Sequence, residues 1–381
     1  MKIAKLLIEK INSLGYEAYF VGGSVRDYLL KRKSFDIDIS TSATPEVLMN
    51  NFKAVPIGLK FGTVLIIFNK HKYEVTTFRK DLAYYDNRHP EGVIFSTKIE
   101  EDVQRRDFTI NGLYMTKDFE IIDLVNGIDD LKNELITTIG NPDDRFREDA
   151  LRMLRAFYLV SKLDFKIDKN TFLSIHKNKE LIKNVSAERI YREIDKIISY
   201  DNKKEALSLL VDSALYKYLP GLSKGIKYLV DNDVEFEKEV FFPFCFFING
   251  KVDKFWKLSN VLEKHYKNVI KLLSLKSLTL EELIKYNKQD IEVFAKINEF
   301  YKVYDLTYDK IINMYDELPI TKVTELAINS EQLIEFYKKE PGPWIKDIQQ
   351  ELLSAIINKE LDNNYSIIIE YLNKRDDNNE K

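Results

Sequence analysis

Residues 17–40 read EAYFVGGSVRDYLLKRKSFDIDIS, and this stretch decides the fold. Glu17 to Val21 is a strand-type run that ends at Gly22-Gly23, and the spacing from Val25 to Lys31 predicts a short helix. Phe35 to Ser40 then alternates apolar and acidic side chains, as a second strand does. On such a strand Asp36 and Asp38 share one face while Phe35, Ile37 and Ile39 turn into the core. Two carboxylates about 7 Å apart at a sheet surface suit one or two Mg²⁺ ions, hard cations that take oxygen ligands. Ions held in this way activate an attacking hydroxyl and stabilise a leaving phosphate. The glycine pair lets backbone N–H groups of Gly22, Gly23 and Ser24 approach a triphosphate, and Arg26 adds positive charge. A lone DxD is common on exposed strands and a lone Gly-Gly is an ordinary turn. The order strand, GGS, helix, DxD strand makes the combination specific.

Working outward, Thr44-Pro45 opens a helix with Thr as N-cap and Pro at the first helical position. Gly62 to Phe68 and Lys72 to Phe78, joined at Asn69-Lys70, predict a hairpin. Gly112 to Thr116 and Phe119 to Leu124 form another strand pair before Gly127. Residues 1–140 therefore read as a small domain with a mostly antiparallel or mixed sheet. After Asn141-Pro142 the grammar changes. Asp149 to Leu163, Ser186 to Ser199, Lys204 to Leu210, Val261 to Leu273 and Glu331 to Lys338 recur at helical spacing, punctuated by Pro220-Gly221 and Pro341-Gly342-Pro343. The fold class is α+β, a sheet domain followed by an all-helical remainder.

The length, 381 residues, implies two or three domains. No run of about 18 apolar residues reaches membrane-spanning length. The start carries Ile3, Leu6, Leu7, Ile11 and Leu14 at helical spacing and lacks the features of a signal peptide, so the expected address is the cytoplasm, without membrane contact. A single cysteine, Cys245, excludes an internal disulfide and argues against a Cys-based zinc site. A net charge of −3 does not advertise polyanion binding. An RNA-binding enzyme needs only a local basic surface, so charge does not settle the partner.

Three further segments carry candidate chemistry. Glu74 lies opposite Tyr73, Val75 and Thr77 on its strand; beside the DxD strand it is a third acidic group, and elsewhere a solvated carboxylate. Arg105-Arg106-Asp107-Phe108-Thr109-Ile110-Asn111 pairs two guanidinium forks that fit phosphate, sugar or base edges, or else a salt-bridged surface turn. In Glu148-Asp149-Ala150-Leu151-Arg152-Met153-Leu154-Arg155, Asp149 and Arg152 stand three apart on a helix and share a face. The bland reading is a surface ion pair. The sharper one is base selection. Cytosine and adenine both present an exocyclic amine beside a ring-nitrogen acceptor. A carboxylate and a guanidinium together accept both bases and clash with uracil and guanine.

With these residues in hand, the chain resembles the class II CCA-adding enzymes, bacterial tRNA nucleotidyltransferases. GGSVRD, DIDIS, EVTTFR, RRDFTING, EDALRMLR and ERIYREIDKII match that family in order and approximate spacing over nearly the whole chain. The resemblance implies a polymerase-β-like nucleotidyltransferase head (1–140) followed by all-α neck (141–200), body (201–265) and tail (266–381). It implies that Asp36 and Asp38 carry Mg²⁺, and that Gly23, Arg26 and Arg106 contact the nucleotide. It also implies that Asp149 and Arg152 pair with CTP or ATP, with Arg155 beside them. Glu188 to Ile194 is expected to buttress that pair. The helical part is expected to hold the acceptor and TΨC arms of tRNA. The implied reaction is addition of C, C and A to the tRNA 3′ end, releasing pyrophosphate. An A-adding specialist or a poly(A) polymerase of the same family, and an inactive RNA-binding protein on this scaffold, stay as alternatives. The oligomeric state, homodimer included, is left open. Tyr158 departs from the family, which commonly carries arginine there. Arg79 to Ser96 resembles the family's flexible loop at full length, which favours an enzyme able to switch from C to A.

Overall fold

The computed structural model describes residues 1–33, 36–82 and 92–379. They form two compact units: residues 1–233 with 255–257, and residues 234–254 with 258–381.

In the first unit, α1 (Lys2–Ser13) buries Ala4, Leu7, Ile8 and Ile11 at the helical intervals of one face. Leu6 and Leu14, expected on that stripe, stand at its exposed edge. There follow β1 (Ala18–Val21), α2 (Gly23–Leu29), β2 (Asp38–Thr41), α3 (Pro45–Asn51), β3 (Ala54–Gly58), β4 (Thr63–Phe68) and β5 (His71–Thr77). The Thr44 side chain accepts from the Val47 N–H and caps α3, as Thr-Pro predicts. β4 and β5 pair antiparallel through Asn69 and Lys70, which hold φ at 48° and 66°. Two left-handed residues give a two-residue turn whose twist suits the flanking strands.

Beyond the hairpin come β6 (Arg79–Asp81), β7 (Val93–Phe95), α4 (Ile99–Gln104), β8 (Tyr114–Met115), β9 (Ile121–Ile122) and α5 (Gly127–Lys132). The expected loop from Arg79 to Ser96 starts and ends in the antiparallel pair β6–β7; its residues 83–91 lie outside the described residues. Among the described residues the main sheet has seven strands in the order β3-β4-β5-β2-β1-β8-β9, and within it only β2 with β5 runs parallel. β2 begins at Asp38 rather than at Phe35, which lies outside the described residues. The reason is the partner strand. Val21, the last residue of β1, faces Asp38, and at Gly22 the chain turns away, so Asp36 and Ile37 have no partner on the β1 side.

The further helices of this unit are α6 (Pro142–Glu148), α7 (Leu151–Leu163), α8 (Lys169–Asn178), α9 (Ala187–Ile197), α10 (Lys203–Asp212) and α11 (Ser223–Asp231). α7 packs against α9 and α10 and buries Met153, Leu154, Ala156, Phe157 and Val160. The helix expected from Asp149 starts instead at Leu151. Asp149 closes α6 in extended backbone, φ −143° and ψ 101°, and its Oδ1 accepts from the Leu151 N–H at 3.1 Å. A carboxylate that satisfies a backbone donor locally competes with helix continuation, so the helix begins two residues later than the spacing predicts.

The second unit is all helical: α12 (Lys238–Asn249), α13 (Asn260–Leu273), α14 (Leu280–Leu283), α15 (Lys288–Tyr301), α16 (Tyr308–Asp316), α17 (Ser330–Tyr337), α18 (Trp344–Ile357) and α19 (Tyr365–Asn379). α12 is apolar on every side. It buries Phe241, Phe242, Phe244 and Phe246 and packs against α13 and α15. A separate core joins Leu333, Leu352 and Ile368 of α17, α18 and α19. Among the described residues no helix is long and apolar enough to cross a membrane.

Candidate active site

At the end of β1 the chain must turn at once into α2. Gly22 makes that turn at φ 67° and ψ −141°, backbone that residues with a side chain rarely adopt. A β-carbon at Gly22 would lie 3.7 Å from Asp38 Oδ2 and 3.7 Å from Arg106 Nη1, so the glycine sits between a carboxylate and a guanidinium. A β-carbon at Gly23 would stand 3.3 Å from Arg26 Nη2. The Ser24 hydroxyl donates inward to the Val21 carbonyl at 2.8 Å and pins the turn.

Asp38 opens β2 between Val21 and Glu74. The question left open for Glu74 is thus answered for position: β5 neighbours the DxD strand, with Glu74 in register with Asp38, although its side chain is exposed. Burial raises the Asp38 pKa above the ordinary carboxylate value. The Glu74 and Asp36 carboxylates raise it further, while Arg106 and Arg155 oppose them. Carboxylates that repel one another here fit a divalent cation, which relieves the repulsion and prefers oxygen. Among the described residues no three His, Cys, Asp or Glu side chains form a complete cage. The residues present fit an open metal position, whose remaining ligands would be oxygens of a substrate or of water.

Around this corner runs a polar chain that begins and ends on α7. Lys162 Nζ donates to Asp27 Oδ2 at 2.9 Å. Arg26 donates through Nε and Nη2 to Asp27 Oδ1, at 2.9 and 2.7 Å, and through Nη1 to Asn111 Oδ1 at 2.5 Å. Asn111 donates to Asp107 Oδ1 at 3.2 Å, and Arg155 Nε donates to Asp107 Oδ2 at 2.7 Å. Arg106 donates to Ser40 Oγ at 3.0 Å, Asp102 Oδ2 at 2.9 Å and Tyr114 Oη at 3.2 Å. Burial by itself would raise the Asp102 carboxyl, but Arg106, Arg105 and the Tyr114 hydroxyl hold it far below the usual range.

The same contest at Asp107 yields a prediction. Burial pushes its carboxyl up, yet Arg155 and the Phe108 and Asn111 N–H donors bring it down to about 2. A carboxylate depressed in the folded state contributes stability above about pH 4 and loses it as the pH falls toward 2. Asp107→Asn should therefore cost about 2–4 kcal/mol in urea unfolding at pH 7. The gap to the natural chain should close below pH 4. Equal stability at pH 7 would count against the pair.

Base-selecting candidates approach from the helical side. Arg152 is buried; its Nη1 donates to Glu148 Oε2 at 2.7 Å and to the Arg145 carbonyl at 3.2 Å, and its Nη2 to the Arg105 carbonyl at 2.7 Å. Asp149 Oδ2 accepts from Arg189 Nη2 of α9 at 2.7 Å. Asp149 and Arg152 thus do not share one helix face, as the spacing alone predicts. The acid is presented from the break before α7, tethered by Arg189, and the base from the first turn of α7.

All these groups open onto one cleft of about 610 Å³, a volume within the range of small-molecule sites. Gly22, Gly23, Ser24, Arg26, Asp36, Asp38, Arg106, Asp149, Arg152 and Arg155 line it, whereas Glu74 stands outside the lining, one strand beyond Asp38. Among the described residues, nine cationic and five carboxylate side chains line the cleft, an excess of positive charge in a chain whose net charge is −3. Asp27, Asp107, Asn111 and Arg189 were within reach of sequence reading, since GGSVRD, RRDFTING and ERIYREI contain them. Lys196 falls within the longer motif ERIYREIDKII, whereas Lys162 and Tyr200, also in the lining, gave no such signal.

Comparison with known proteins accounts for this arrangement. Residues 18–137 match the family model described as the Poly A polymerase head domain. Residues 164–226 match the "Probable RNA and SrmB- binding site of polymerase A", and residues 240–372 match domain 2 of tRNA nucleotidyltransferase. A CCA-adding enzyme of Limosilactobacillus reuteri is 37% identical over 96% of this chain and 95% of its own length. One from Ligilactobacillus salivarius is 38% identical over 98% and 96%. Among solved structures, the Bacillus stearothermophilus CCA-adding enzyme in complex with CTP superposes with a TM-score of 0.86 at 32% identity, covering 100% of this chain and 98% of that one. The Thermotoga maritima CCA-adding enzyme complexed with tRNA shares the fold, with a TM-score of 0.65 at 20% identity over 97% and 94%. End-to-end identity with these relatives, around a cleft that gathers the motifs scattered along the sequence, places the chain among the CCA-adding enzymes, class II of the tRNA nucleotidyltransferases.

Proposed function

We propose that the cleft adds C, C and A to the 3′ end of tRNA in the cytoplasm, using CTP twice and ATP once and releasing pyrophosphate each time. One observation carries this reading: the carboxylates Asp36 and Asp38 share a single cleft with Asp149 and Arg152. A nucleotide can therefore be chosen and joined in one place. Asp149 accepts from the exocyclic amine of cytosine or adenine, and Arg152 donates to the ring nitrogen beside it. The backbone at Gly22 and Gly23, with Arg26 and Arg106, seats the triphosphate, and Arg155 keeps positive potential between base and phosphates. Asp36 and Asp38 hold Mg²⁺, which when bound polarises the α-phosphate and stabilises the leaving group. Glu74 adds negative potential from the neighbouring strand. Most of the rate enhancement is positioning and electrostatics. On this reading the helical part, divided into neck, body and tail, recognises tRNA through shape and backbone contacts with the acceptor and TΨC arms.

The test uses tRNA transcripts that end at the discriminator base, at C and at CC, each incubated with one nucleotide at a time and sequenced. CTP should extend the first two, and ATP only the third. Addition of A alone, with no C incorporated on any transcript, would overturn the reading.

A further inference from the structure

Beyond Asp38 the sheet continues past the cleft, on a face that the proposed chemistry leaves unused after Glu74. Asp38, Glu74, Leu65 and Val55 stand in register, one residue from each of β2, β5, β4 and β3. Alternation puts Lys72, Ile67 and Lys53 in a second row on the same face. Lys72 pairs with Ile67, whose N–H donates to the Lys53 carbonyl at 2.8 Å. On the other side of Glu74, the Thr63 and Thr76 hydroxyls meet at 3.1 Å. The opposite face is closed, with Val64, Ile66, Tyr73 and Val75 buried in the core. This one is open. Val55 is 45% exposed, Leu65 and Ile67 are half-buried, and Lys53, Lys72 and Glu74 are exposed.

Its composition points to a nucleic-acid strand. Residues 52–77 hold four exposed lysines, Lys53, Lys60, Lys70 and Lys72, against one carboxylate, Glu74, in a chain of net charge −3. Apolar side chains interleaved with cations suit the bases and phosphates of a single strand. A strand of protein fits less well. Among the described residues β3 is outermost, but Pro56 offers no N–H and the ladder slips between Pro56 and Gly58. Both features discourage a further strand from pairing.

Direction decides which nucleic-acid strand belongs there. In an in-line displacement the attacking oxygen approaches phosphorus from the side opposite the leaving group. Asp38 stands between Val21 of β1 and Glu74 of β5. The nucleotide cleft takes the β1 side, with Gly22, Gly23 and Arg26 in its lining. The β5 side, which leads onto the open face, is left for the attacking hydroxyl.

We propose that Val55, Leu65, Ile67 and Lys72 seat the last unpaired nucleotides of the RNA acceptor and aim its 3′-hydroxyl at Asp38. This rests on the cleft being the nucleotide site. Asp38 to Val55 is three strand spacings, about 14 Å, room for more than one base. The bases lie on Val55, Leu65 and Ile67, while Lys72 and Lys53 meet the phosphates between them. Glu74 stands next to Asp38, where the hydroxyl rather than a phosphate arrives. The 3′-oxygen bonds to the α-phosphorus as the bond to the bridging oxygen breaks. The electron pair leaves with the diphosphate, and the hydroxyl proton leaves to water. Apolar side chains offer a base no donor or acceptor, so the seat takes C and A alike as the end grows.

The test crosslinks the natural chain to a CC-ended tRNA transcript carrying 4-thiouridine at the discriminator position, with the adduct mapped by mass spectrometry. The adduct should fall within residues 53–72; one confined to other segments overturns the proposal. In turnover, Val55→Asp and Lys72→Met should each raise the KM for the transcript about tenfold and leave the KM for ATP unmoved. Lys72→Met should also flatten the slope of log KM against log salt by about 0.7, the loss of one single-strand phosphate contact. Both side chains are exposed, so melting temperatures should hold. An unchanged KM for the transcript in both variants overturns the proposal. So does a natural chain that scatters light as a dimer and a Val55→Asp chain that scatters as a monomer with that KM unmoved, which would give the face to a second copy. If the natural chain extended no transcript, the functional reading would fail, while the crosslink would still judge this face.

Discussion

Asp38→Ala should lower nucleotide incorporation by about a thousandfold or more, and Asp36→Ala by a comparable factor, with tRNA binding retained. The expectation follows from where the Asp38 carboxyl sits. It is partly buried, in register with Glu74 and near Asp36, an arrangement that works against its own ionisation. A protein gains nothing in stability from carboxylates held against one another, so their use lies in what they bind. Removing Asp38 should leave the melting temperature unchanged or slightly higher in metal-free buffer. Magnesium should raise the melting temperature of the natural chain and not that of the variant. Single-turnover extension of a CC-ended transcript, a gel-shift with tRNA and melting curves with and without magnesium measure the three effects. Ordinary turnover in either variant would remove the pair from the metal position.

The second large effect concerns choice rather than rate. Asp149→Ala should erode discrimination against UTP and GTP by about a hundredfold, read as the ratio of kcat/KM values over the four nucleotides. Uracil and guanine present a carbonyl oxygen where cytosine and adenine present an amine, and that oxygen faces the carboxylate. Asp149 also starts α7 through the Leu151 N–H and pairs with Arg189, so alanine disturbs the backbone as well. Asp149→Asn separates the two roles. Its side-chain oxygen can still accept from Leu151 while its amide, which no longer accepts from Arg189, donates toward the base, which should shift preference toward uracil and guanine. An unchanged order of preference in both variants would take Asp149 out of base selection.

How much of this could be read beforehand depended on whether the signal was local. The β4–β5 hairpin was legible because Asn69 and Lys70 are flanked by strand-type runs. The α3 start was legible because Thr44 and Pro45 act on their own neighbours. The strand carrying Asp38 was placed too early, since where a strand begins depends on its partner, and β1 stops opposite Asp38. The start of α7 was placed two residues early for a different reason. Neither Gly nor Pro marks it, and the spacing of Asp149 with Arg152 suits a helix that already includes Asp149. Only the carboxylate bonded to the Leu151 N–H, a contact of two residues' reach, produces it. Asp27, Asp107 and Asn111 lay inside motifs already quoted, yet their part emerged only when the chain of donors from Lys162 to Arg155 could be followed in space.

That chain, together with the Arg152 bond to the Arg105 carbonyl and the Arg32 bonds to the Lys162 and Leu163 carbonyls at the end of α7, rivets one helix to the sheet domain at four levels. The helix then behaves as a ruler with a fixed zero. On the proposed reading, a base that docked out of place at the Arg152 mark would carry its sugar and α-phosphate off the Asp38 mark by the same displacement. Mistakes should therefore surface as slow bond formation after adequate docking, a fidelity set by length rather than by affinity.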